Sequence, residues 1–162
     1  MRAIRPVGET QVLECFWRGE SAKSSRWSAA EVEERRRTWH ERVGLFAGFP
    51  DDLAWELVAL TREELLAVLY VNWDWWLKVS NGTRLATVAA DVQGRDEGDR
   101  AVAAAAATNA ELIAVTDPER SKLVLLEGHV RLTAYGAFPE LLPPELHVYL
   151  GVSPRIDEWS QW

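Results

Sequence analysis

The chain has 162 residues, 48% hydrophobic and 27% charged, enough for one domain with a buried core. Its net charge of −7 and pI near 5.0 argue against a sequence-independent phosphate footprint, and so against DNA or RNA as the main partner. No apolar run reaches the ~18–20 residues that span a bilayer, Met1–Gly8 lacks the apolar stretch of a signal peptide, and a single cysteine, Cys15, excludes an internal disulfide framework; the expectation is a cytoplasmic protein with no membrane partner.

In chain order, Arg2–Glu9 reads as a lead-in with at most one pairing strand. Gln11–Arg18 reads as a strand carrying Val12, Leu13, Cys15, Phe16 and Trp17, with Cys15 an inert buried thiol. Gly19–Trp27 is a polar loop. Ser28-Ala29-Ala30-Glu31 has the form of a capping box and predicts a helix to about Val43. Val32, Trp39 and Val43 give it a buried side; Glu33, Glu34, Arg35 and Arg37 give it a solvated one. Phe49–Asp52 breaks the chain, and Ala54–Leu60 fits a short helix or a strand.

Thr61-Arg62-Glu63-Glu64 is a second capping box. It predicts one long amphipathic helix from Glu63 to about Val79, with Leu65, Leu66, Leu69, Trp73, Trp76 and Leu77 recurring at three and four residues. Three aromatic rings within Trp73–Trp76 cannot share one core, so Trp75 is expected to meet another element or line a pocket. Trp73 and Trp76 are candidates for a substrate pocket. Ser80-Asn81-Gly82-Thr83 is a stop signal, and Leu85–Val92 a second short helix. Gly82, Thr83 and Arg84 offer an N–H, a hydroxyl and a guanidinium together, a candidate second substrate contact. Gln93–Asp99 is a charged loop, and Asp99 caps an alanine-rich helix, Arg100 to about Asn109.

The informative stretch comes next. Leu112–Val115 is strand-like and Asp117-Pro118-Glu119 a turn. Leu123–Leu126 is a continuous apolar run that suits a buried strand, Gly128 breaks it, and His129–Ala137 suits a short helix. The free N–H groups and positive dipole end of that helix would surround Gly128, where a glycine lets an anion approach. Arg131 in the first turn can fork onto a phosphate or carboxylate, and Glu127 ends the strand at the mouth. Phe138–Glu145 then leads into a strand, Leu146–Leu150. Ser153-Pro154 reads as a helix start with Pro at the first position. Trp159 and Trp162 are placed to pin the tail to the body.

Glu127-Gly128-His129-Val130-Arg131, between a buried strand and a short helix, resembles the Gly-x-x-Arg phosphate-binding motif of the ParB/sulfiredoxin-like superfamily. The resemblance runs from Ile113 to Gly151 and includes the flanking strands. Position 129 is His where sulfiredoxin chemistry needs cysteine, so the free-serine kinases of the superfamily are the nearer likeness. The chain as a whole is read as a single domain over residues 1–162, with a Trp-rich helical insertion or extension at about 28–110 that the resemblance does not cover. The expected fold is α+β: a small mixed sheet carrying the Gly-x-x-Arg turn into a short helix, with a helical N-terminal half packed against it. The resemblance further implies phosphate or nucleotide contacts from Gly128, His129, Arg131 and Thr133, and catalytic roles for Glu127 and His129. The reaction would be small-molecule phosphotransfer or NTP hydrolysis with Mg²⁺ and ATP, ADP or CTP. His40, His129 and His147 lie far apart, so no structural metal is expected. The alternative is a non-catalytic regulatory domain that binds a ligand or a protein partner. Val130, where the superfamily motif carries a basic residue or a second His, favours it.

Overall fold

The computed structural model describes residues 1–22, 45–93 and 112–162. The helix predicted at Ser28–Val43, the charged loop and the alanine-rich helix fall mainly or wholly outside them. The described elements are β1 (Arg2–Pro6), α1 (Glu9–Ala22), β2 (Ala54–Thr61), α2 (Arg62–Leu66), α3 (Asp74–Val79), α4 (Ala86–Gln93), β3 (Leu112–Thr116), β4 (Val124–Glu127), α5 (His129–Ala137) and β5 (Glu145–Val152). Short 3-10 turns cover Pro139–Leu141 and Ile156–Glu158.

The class is α+β. The five strands form one mixed sheet in the order β1-β2-β5-β3-β4. β5 lies antiparallel to β2 and parallel to β3, with Leu112 opposite Val148 and Thr116 opposite Val152; β4 runs antiparallel to β3. Every residue of β3 is buried, which is why Leu112–Val115 reads as an unbroken apolar run: it has a core on both faces. Leu112, Ala114, Leu125, Val58 and Val148 face α2, α4 and α5, while Ile113, Val115, Val124 and Leu126 face α1 and the C-terminal tail. The tail is fixed there by Trp159, which is buried and donates its indole N–H to the Leu45 carbonyl at 2.6 Å.

Three predicted elements differ. Gln11–Arg18 is not a strand: it lies within α1. Val12, Cys15 and Phe16, the residues that suggested a strand, are spaced i, i+3, i+4 and are all buried, the signature of one helical face. The single helix from Glu63 to Val79 is two short ones. The capping box is real, with Thr61 Oγ1 accepting from Glu64 N and Glu64 Oε2 accepting from Thr61 N, but α2 stops at Leu66. Beyond it, Leu69 donates to the Leu123 carbonyl at 2.9 Å and accepts from Leu125 N at 2.8 Å, so the chain extends along the free edge of β4. Covering that edge satisfies backbone groups that a helix would have left open. At the tail, Ser153 Oγ accepts from Arg155 N, but the following turn is 3-10 and its cap is Arg155. The N-terminal half is also not simply helical, since β1 and β2 supply two of the five strands.

α4 and α5 pack almost backbone to backbone. A Cβ at Gly136 would lie 2.6 Å from the carbonyl carbon and oxygen of Ala86 and 2.9 Å from Thr87 N. Gly136→Ala therefore has to push the two helices apart, and the strain outweighs the gain in helix propensity. Urea unfolding should show a loss of about 1–3 kcal/mol; an unchanged midpoint would mean that this contact is not tight in solution.

Candidate functional site

The site is built at the β4–α5 junction. Gly128 connects the two with φ 105° and ψ 21°, in the left-handed region. An added Cβ would overlap Leu112 Cδ2 and come within 3.4 Å of Arg131 Nη2. Leu112 and the Arg131 guanidinium therefore both lie close over the turn. Val130, the position without a basic residue, points outward and is half exposed.

Helical phase divides the motif. Residues 129 and 131 are about 200° apart on a helix, so their side chains leave opposite sides of α5. On one side, the His129 ring stacks against Trp76 at 4.9 Å and Tyr70 at 5.8 Å between centroids. Tyr70 and Trp76 are themselves 4.5 Å apart. Thr133 is buried next to this cluster. Its hydroxyl is bonded at 2.8 Å to the His129 carbonyl and at 2.6 Å to the Tyr70 hydroxyl. His129 and Thr133 thus form a packed aromatic and hydroxyl network away from Arg131. The side chains of His129 and Thr133 therefore leave α5 on a different side from that of Arg131.

On the other side stand Arg131 and Tyr135, four residues apart, with Glu127 at the end of β4 next to Arg131. Arg131 Nη2 is 3.6 Å from Glu127 Oε1, an ion pair looser than a hydrogen bond. The two side chains are only 21% and 10% exposed. Among the described residues Arg131 has no hydrogen-bond acceptor closer than this, which is unusual for a guanidinium so far removed from water. The site therefore offers an underused cation beside a carboxylate at a helix N-terminus.

The second predicted contact does structural work. Arg84, itself at φ 63°, donates from Nε to the Tyr70 carbonyl at 2.6 Å and from Nη2 to the Gln161 carbonyl at 2.9 Å. It ties the edge segment to the tail. Thr83 Oγ1 donates to the Ser80 carbonyl at 2.7 Å and accepts from Leu85 N at 3.2 Å, holding the stop turn. Trp76 is half-buried in the His129 stack. Trp73 and Trp75 are exposed, at 42% and 60%. None of the predicted site residues lines the cavity of about 300 Å³ walled by Asp117, Glu119, Asp157, Pro154 and Trp162, whose acidic rim does not suit an anion. Among the described residues there is no group of three His, Cys, Asp or Glu placed to hold a metal, and no helix long and apolar enough to cross a membrane.

Sequence reasoning missed Tyr70 and Tyr135. Tyr135 was detectable: it lies one helical turn beyond Arg131. Tyr70 was hidden by the wrong helix. Comparison of the chain with protein-family models, curated proteins and solved structures gives no match.

Burial pushes the phenols of Tyr70 and Tyr135 up to about 12, against the opposing effects of the Thr133 hydroxyl on the first and of Arg131 on the second. Both folded-state values lie above the unfolded one, so the stability they carry is complete below pH 10 and is lost as pH rises from about 10 through about 12. Urea midpoints measured from pH 8 to 12 should fall across that window, and less steeply in Tyr70→Phe. An equal slope in the variant would show that Tyr70 ionises as it does in the unfolded chain.

Proposed function

We propose that this chain binds a nucleotide or another phosphorylated small molecule at the β4–α5 junction and acts as a phosphotransferase or NTPase of the ParB/sulfiredoxin-like type. The observation that carries this reading is the largely buried Arg131 guanidinium, close over Gly128 and, among the described residues, with only the loose Glu127 contact to satisfy it. A phosphate would supply the acceptors it lacks, with the first N–H groups of α5 alongside. Glu127 would take the proton from the attacking hydroxyl. Mg²⁺, where a nucleotide brings it, would find one carboxylate here, in keeping with an ion held mainly by phosphate oxygens and water. His129 enters through its backbone N–H, its ring being engaged by Trp76 and Tyr70.

A second reading is favoured by a separate observation. Trp73 and Trp75 are large aromatic side chains left exposed around α3, which suits a non-catalytic domain that captures a partner.

Thermal shift against ATP, ADP, CTP, phosphate and phosphoserine, with Mg²⁺, separates the two. A ligand at 100 times its Kd should add about 2.7 kcal/mol of stability, a rise of roughly 5–10 °C, abolished in Arg131→Ala. Glu127→Gln should keep binding and lose turnover by at least about 100-fold. Binding that survives Arg131→Ala, or turnover unchanged in Glu127→Gln, would move the function away from this junction.

A further inference from the structure

The hydroxyl of Tyr135 is an unexplained group of this fold. The residue is 1% exposed, and its Oη has no hydrogen-bond partner among the described residues. A buried hydroxyl left without a partner destabilises the protein that carries it, so it asks for a reason. Its position supplies one. Tyr135 is four residues beyond Arg131 on the same stripe of α5, and Glu127 ends β4 just before that helix. Helical side chains lean toward the N-terminus of their helix, so the Tyr135 ring runs back toward the Arg131 turn. The charge of Arg131 is felt at the phenol. One stripe therefore brings together a guanidinium short of acceptors and a hydroxyl with none, next to a helix N-terminus.

We infer that the Tyr135 hydroxyl is a second anion-binding donor of the junction, hydrogen-bonding the same oxyanion that Arg131 pairs with. The inference rests on the anion-site reading above and adds to it a residue and a ligand class. Two donors of different geometry, a planar fork and a single O–H, require a group with several acceptor oxygens, as a phosphate or a carboxylate has. The aromatic ring also provides a rigid wall with little entropy to lose on binding.

Tyr135→Phe tests this directly because it removes one oxygen and keeps the ring. Calorimetric titration would compare wild type, Tyr135→Phe and Arg131→Ala with inorganic phosphate, phosphoserine and Mg-ATP as probes, and with malonate as the carboxylate arm. The expected result has two parts. The Phe variant binds its probe ten-fold or more weaker, and its melting temperature without ligand is equal to or above wild type, since an unsatisfied group has been removed. Binding of malonate alone, with the same dependence on both residues, would support the shared oxyanion site while rejecting the phosphoryl reading. Unchanged affinity in Tyr135→Phe together with loss in Arg131→Ala would overturn the role of Tyr135 and leave the site standing. A clear fall in melting temperature of the ligand-free Phe variant would also overturn it, because the hydroxyl would then be serving the fold. No binding of any probe to wild type would overturn both.

Discussion

No side chain fits at Gly128. The chain leaves a buried strand and enters a helix there at φ 105°, with Leu112 pressed against the α-carbon. Leu112 belongs to the fully buried central strand, so it cannot yield without opening the core. Together with the packing of α5 on α4 at Gly136, this contact holds α5 in its direction and rotation, and that rotation decides which side chains of the motif meet.

From that rotation the rest follows. α5 turns His129 and Thr133 toward Tyr70 and Trp76, and Arg131 toward Glu127. Gly136, two turns on, lets α4 approach to backbone contact. Arg84 then ties the segment before α3 to the C-terminal tail through two carbonyls. Each of these is an interior polar or close-packed contact with a defined partner. Arg131 and Tyr135 differ, because among the described residues their donors outnumber their acceptors. Function is more economically sought where the polar accounting fails to close than where sequence neighbours happen to cluster.

The two readings of function use different surfaces of the same small region. The junction offers charge and an orphan hydroxyl in a mostly buried setting, suited to a small anion. The exposed rings of Trp73 and Trp75 offer apolar area to solvent, suited to a larger partner. They need not exclude one another, since the His129–Trp76 stack links α5 to the helix that carries Trp75.

The sequence by itself determined the local elements whose signals depend on nearby residues: the Thr61 capping box, the Asn81-Gly82 stop, the strand and helix either side of Gly128, and the buried runs of β3 and β4. It did not determine α1, because Val12, Cys15 and Phe16 satisfy a short helical face as well as a strand until a second layer selects one. Nor did it determine the break after Leu66, since the reward for leaving the helix is backbone pairing of Leu69 with Leu123 and Leu125, more than fifty residues away. The candidate site divides in the same way. Glu127, Gly128 and Arg131 were legible as residue types suited to an anion. That His129 and Thr133 turn away, that Arg84 serves the tail, and that Tyr135 ends without a partner among the described residues were decided only by tertiary structure, because helical phase and the long-range partners that use up each donor are properties of the packed chain.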